Sequence, residues 1–165
     1  MSARRAAVMV GVATVLVAGP AWAVPQPAPA VPSHSELEVL RIDPDDVVPG
    51  GSTTLHAYVA NLGPDTTGSA MIITVDLPPR TQALGDFYPE DCEPSANKRH
   101  VRCEFPAGLR SGRSATALVP ILVDGHVPVG QTLKGSFRVS SPDDRNVSNN
   151  RTAFEVKVVD QVPDH

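Results

Sequence analysis

Tryptophan, lysine and cysteine are all scarce in this 165-residue chain, and each shortage narrows what the protein can be. Aromatic residues make up 4% of the sequence, and the single tryptophan is Trp22. Saccharide-binding modules stack sugars on exposed Trp or Tyr rings. With Trp22 set aside, only Tyr58 and Tyr88 could do so here. Lysine occurs three times against eleven arginines, a bias that fits a GC-rich bacterial source. The formal charge is −4, and nucleic acid, which needs a basic face, drops out of the expected partners. No Gly-x-Ser-x-Gly elbow is present. None of His34, His56, His100, His126 and His165 has a local partner that would make a nucleophile–base unit. The chain is therefore not expected to be an enzyme, and no catalytic residue, cofactor or metal is assigned.

Long apolar runs are also missing, with one exception. "AAVMVGVATVLVA" at 6–18 follows Arg4 and Arg5 and precedes "GPAWA", with Ala21 and Ala23 where a signal peptidase reads. This is the layout of a secretory signal peptide, 1–23, and the run is short of the roughly 20 residues that span a bilayer. No cysteine lies near the cleavage site to carry a lipid. With no later apolar run or sorting signal, the expectation is a secreted, extracellular protein without a membrane span, at most loosely held on the cell surface. Cleavage leaves 142 residues and takes the charge from −4 to −6. That is one domain's worth of chain. Prolines 25, 27, 29 and 32 mark 24–35 as an extended spacer.

From residue 36 to 160 short apolar stretches alternate with Gly, Pro, Asp, Asn and Ser clusters, and no helical period is sustained. Seven segments alternate with period two: 36–42, 53–61, 70–79, 99–105, 114–123, 131–140 and 152–159. Seven such strands predict an all-β, antiparallel, immunoglobulin-like sandwich. In the first, Leu37 and Val39 share a face while Leu40 and Ile42 take the other, which predicts a bulge or a passage between two sheets. Pro120 must sit at an edge or a bulge, because it cannot donate to a ladder.

The only cysteines are Cys92 and Cys103. A zinc site needs four ligands in short pairs, and a redox pair needs Cys-x-x-Cys. In an oxidising compartment two cysteines bracketing a hairpin-like segment form a disulfide. Closing so short a loop contributes about 3 kcal/mol in the chain-entropy model. The bridge would hold the preceding loop, making Phe87 and Tyr88 candidates for contact with a partner. Lys98, Arg99 and Arg102 form a short basic segment, "KRHVR", suited to an anionic wall polymer. Asp143, Asp144, Asn146, Asn149 and Asn150 in the 141–150 loop offer oxygens that suit calcium. Without EF-hand spacing, Asx side chains capping their own loop are the expected use.

Four segments together, "VVPGGSTTLHAYVANLGP", "ITVDLPP", "VRCEFPAGLRSGRSATALVPILV" and "SSPDDRNVSNNRTAFEVKVV", resemble a bacterial extracellular conserved-repeat domain. That family is catalogued as the eleventh domain of unknown function, and the bacterial cell-adhesion-related domain is similar. The resemblance covers residues 36–159. It rests on a Pro-Gly turn, a strand ending Asn-x-Gly-Pro, one ending Leu-Pro, a Cys pair, a Leu-x-x-Gly turn and a late Asp…Asn-Asn. It implies an immunoglobulin-like sandwich on secreted or surface proteins, often in tandem. A single copy without a wall-sorting tail points to a freestanding module, expected to be monomeric. Its expected role is structural or interactive in the cell envelope or extracellular space, with a protein or a cell-wall polymer as partner. The alternatives are a carbohydrate-binding module or a small enzyme inhibitor that acts through the disulfide-tied loop.

Overall fold

The computed structural model describes residues 33–162, so the expected signal peptide and the spacer up to residue 32 lie outside the described residues. Nine strands form: β1 Leu37–Leu40, β2 Ser52–Asn61, β3 Met71–Asp76, β4 Thr81–Ala83, β5 Glu93–Pro94, β6 His100–Phe105, β7 Ser114–Val123, β8 Thr132–Ser140 and β9 Arg151–Lys157. They build two antiparallel sheets, ordered β1-β2-β7-β4 and β5-β6-β3-β8-β9. All seven expected strands are present. Two more, β4 and β5, fall in the stretch read as irregular. At three and two residues they are too short to show alternation, and Pro94 is tolerated because β5 is an edge.

The inner faces follow the period-two pattern. Leu55, Ala57 and Val59 of β2 and Ala117, Val119, Ile121 and Val123 of β7 meet Ile73, Val75, Val101, Phe137, Val139, Phe154 and Val156 across the sandwich. Each fully buried large side chain contributes roughly 1.5–3 kcal/mol over leaving it in water. The core has one tight seat. Gly135 faces Phe154 in register, and a Cβ there would overlap the aromatic ring.

The phase change in β1 is a passage between sheets. Leu37 and Val39 are buried beside β2, whereas Leu40 and Ile42 are exposed. The chain then crosses to the free edge of β9. There Asp43 Oδ1 accepts from the Glu155 amide at 2.8 Å, and Val47 makes a parallel bridge to Val158. Pro120 lies between β2 and β4 at the point where the β4 ladder stops. Its carbonyl accepts from Leu84, but it has no N–H to return, and the chain bulges away through residues 85–87 before Tyr88 re-pairs with Leu118.

At the end of the sandwich where the described chain enters, polar side chains replace the apolar core. Asn61 is fully buried and uses all four of its side-chain bonds. Its Nδ2 donates to the carbonyls of Asp65 (2.8 Å) and Leu109 (2.9 Å), and its Oδ1 accepts from the amides of Glu36 (3.2 Å) and Gly63 (3.1 Å). Gly63 packs against the backbone of residues 34–36 with no room for a Cβ. Asp143, 1% exposed, accepts from the amides of Ser33, Gly68 and Ser69 and from the Ser33 hydroxyl. Residues 33–35, assigned to the spacer, are thus fastened to the domain. The Asn-x-Gly-Pro, Leu-x-x-Gly and Asp…Asn-Asn segments meet here, and each ties one loop to another.

Candidate functional site

The disulfide exists, and its geometry follows from register. Glu93 pairs with Arg102, so Cys92 lies directly across from Cys103, with their Cα atoms 4.1 Å apart. Both cysteines are buried in the core cluster. The bridge therefore pins β5 and the loop before it onto β6. Replacing both cysteines with serine is expected to lower stability by about 2–4 kcal/mol while the β-sheet circular dichroism stays native-like. Amide exchange should quicken chiefly within residues 84–103. Loosening spread evenly over β8 and β9 would show that the bridge supports the whole sandwich instead.

The loop it holds divides its two aromatics. Phe87 is half-buried and packs on the core. Tyr88 is 57% exposed and, as the bridge partner of Leu118, points outward from the four-stranded sheet. It joins an apolar outer face that runs down β7 as Leu118, Pro120 and Leu122, all half-buried. Leu84, 51% exposed, stands opposite Pro120, and half-buried Tyr58 and exposed Leu40 continue the face across β2 and β1. An antiparallel sheet on a sandwich surface ordinarily alternates apolar-in with polar-out. This one is apolar on both sides along β7.

The basic segment does not stay together. Lys98 sits at the tip of the β5–β6 turn with φ of 54°. Arg99 turns toward the end of the sandwich, where its Nη2 donates to the Leu77 carbonyl at 3.3 Å and its Nε is buried without an acceptor. There it lines a groove of about 530 Å³ with Arg80, Asn97, Asp124 and His126. Asp124 partly neutralises that groove, lying 3.6 Å from Arg80 and 3.0 Å from His126. Arg102 projects from the outer face of the other sheet and pairs with Glu104 at 3.0 Å. Adjacency in sequence gave three separate locations.

The 141–150 loop spends its carboxylates on its own backbone and neighbours. Besides the Asp143 contacts, Asp144 Oδ1 accepts from the Asn146 amide and Oδ2 from Asn150 Nδ2 at 2.7 Å. Among the described residues no group of three or more His, Cys, Asp or Glu is placed to hold a metal. No helix among them is long and apolar enough to cross a membrane.

What the sequence reading missed is the outward apolar face and, on the opposite sheet, a pair of cross-strand arginines, Arg138 and Arg151. A signal for the first was present, since "SATALVPILV" is apolar at both parities. The second needs the β8–β9 register.

No protein-family model matches the chain, and no curated protein matches it in sequence. Solved bacterial structures do share its fold. The third cohesin of ScaC from Acetivibrio cellulolyticus, solved with the ScaB dockerin, superposes with a TM-score of 0.56 at 14% identity, covering 74% of this chain and 99% of that one. BcpA, the major pilin subunit of Bacillus cereus, gives 0.52 at 10% identity over 76% of this chain and 39% of that one. The sixth cohesin of Acetivibrio cellulolyticus scaffoldin B, solved with a mutant Cel5 dockerin, gives 0.50 at 12% identity over 76% and 99%. These likenesses establish a shared immunoglobulin-like sandwich.

Proposed function

We propose that this chain is a secreted, non-catalytic interaction module of the bacterial cell envelope or extracellular space. It docks a protein partner on the outer face of the four-stranded sheet. The carrying observation is the apolar surface made by Leu84, Tyr88, Leu118, Pro120 and Leu122, with Leu84 and Tyr88 half or more exposed. An apolar centre with an aromatic anchor and polar margins is the composition of a protein-binding patch. The other sheet supplies the contrast, because its outer face carries Arg102, Lys134, Arg138, Arg151 and Glu155.

Two features support a non-catalytic reading. The buried carboxylates Asp143 and Asp144 are committed to holding loops. The His100–Asp76 and His126–Asp124 pairs are exposed surface contacts. The motif residues behind the resemblance to the conserved-repeat domain hold loops and turns, which leaves the sheet faces available for contact.

The test is photo-crosslinking from position 84 on the apolar face and from position 110 at the polar end, in culture supernatant and cell-wall extract. One defined protein should crosslink from position 84 alone and be lost from a Tyr88→Asp bait whose melting temperature is unchanged. Equal labelling from both positions, or retention in Tyr88→Asp, would sink the proposal. Competition by neutral oligosaccharides would replace it with the carbohydrate-binding reading. Crosslinking to a protease through its active site would replace it with the inhibitor reading.

A further inference from the structure

The outer face of the five-stranded sheet sets three arginines in one row. Arg102 and Arg138 both pair with Thr74, from β6 and β8, and Arg138 pairs directly with Arg151 of β9. Like charges directly opposite each other on a sheet are destabilising. Little on the protein relieves this pair. Arg151 donates to the Ser136 hydroxyl at 2.9 Å and lies 3.8 Å from Asp76, a carboxylate that His100 already holds at 2.7 Å. Among the described residues Arg138 has no carboxylate within ion-pairing distance.

Beside the pair is an open surface groove of about 490 Å³, lined by Arg138, Arg151, Ser140, Ser141, Asn150 and Val147. Asn150 is 5% exposed. Its Nδ2 must be the atom facing Asp144, because a carboxylate only accepts. Its Oδ1 is therefore an acceptor, buried and without a donor, although the residue lines the groove. The same corner thus holds two facing cations, of which Arg151 shares the Asp76 carboxylate and Arg138 has no carboxylate partner among the described residues.

We propose that this corner binds an oxyanion borne on a polymer: the carboxylate of a uronic acid or the phosphodiester of a polyol phosphate. The two guanidinium groups, planar forks suited to carboxylate and phosphate, share the oxyanion. Arg102, exposed although paired with Glu104 at 3.0 Å, stands two strand spacings from Arg138, roughly 10 Å, and extends the row toward the next anion along the polymer. The site is on the opposite sheet from the proposed protein-docking face and does not depend on it.

The experiment titrates the mature protein with oligogalacturonate, with glycerol-phosphate oligomer and with neutral cello-oligosaccharide, at low and at high salt. At least one anionic probe should bind at low salt and raise the melting temperature, and which one binds identifies the source of the anion. Arg138→Gln should weaken that binding tenfold or more. Without probe it should melt no lower than the parent, because it removes a repulsion. Arg102→Gln should weaken binding less, and Tyr88→Asp should leave it intact. Should Arg151→Gln fold poorly through loss of its Ser136 contact, Arg138→Gln decides. No binding by either anion, equal binding of the neutral probe, or undiminished binding in Arg138→Gln would overturn the proposal.

Discussion

An Asn61→Asp variant should be among the least stable single substitutions in this domain, though it changes one atom. Asn61 donates to two carbonyls and accepts from two amides in a fully buried site. A carboxylate keeps the acceptor half and turns the donor half into repulsion, placing a buried charge against the Asp65 and Leu109 carbonyls. Leaving buried groups unsatisfied costs about 1–3 kcal/mol each, more when charge is involved. A loss of about 4 kcal/mol is expected, against a total near 5–15 kcal/mol for domains of this kind. For a domain of this size that is a fall in melting temperature of roughly 15 °C. The substitution also carries a pH signature. The new carboxyl would be raised in the folded state, so its penalty should grow as pH rises from 5 to 7, and protonation should restore one donor. Urea midpoints at those two pH values check it. A deficit that does not change with pH would mean that lost packing, rather than lost hydrogen bonding, sets the cost.

The second large effect belongs to Asp143. Burial raises its pKa, but the hydrogen bonds from Ser69 and Ser33 outweigh burial and hold it below the usual carboxylate value. A carboxyl lowered in the folded state stabilises the fold above its unfolded pKa. That contribution disappears as pH falls through the folded value. Stability from Asp143 should thus be complete at neutral pH and lost progressively below about pH 4. Asp43, held down by Arg41 and the Glu155 amide against its own desolvation, acts in the same direction. Asp143→Ala should cost about 2–4 kcal/mol at pH 7, since it strips the acceptor from three amides. It should also flatten the acid limb of the stability curve. Chemical denaturation from pH 7 down to 2.5 tests both. An acid limb as steep as the parent's would assign acid sensitivity to other carboxylates.

The strands were legible because their alternation is a property of the chain itself. Leu133, Phe137 and Val139 sit inside and Lys134 and Arg138 outside, as the pattern requires. Even the change of sheet after Leu40 showed as a slip in phase. Features that depend on register were not legible. The segment Lys98–Arg102 looks like one patch in a string, but a turn and a strand send its cations to different places. Arg138 and Arg151 are thirteen positions apart, and only the β8–β9 pairing makes them neighbours. A run such as "SATALVPILV" hides its outward half, because strands buried on both faces have the same composition. Asp143 was ambiguous for another reason. A carboxylate looks the same in sequence whether it faces a cation or a row of amides.

The crossing from β1 to β9 has a mechanical consequence. The described chain enters at the Asn61 end of the sandwich and leaves, past Val158, at the other. Its first and last segments therefore run side by side and parallel where Val47 meets Val158. Val47 donates to the Lys157 carbonyl and accepts from the Val159 amide, each at 2.9 Å, and the Asp43 contact to Glu155 lies further along. Tension drawn through the two ends would slide these segments past each other and strain all three bonds together. Peeling, which breaks such contacts one after another, is closed to that direction of force. A sandwich threaded this way resists extension as a clamp does, by shear.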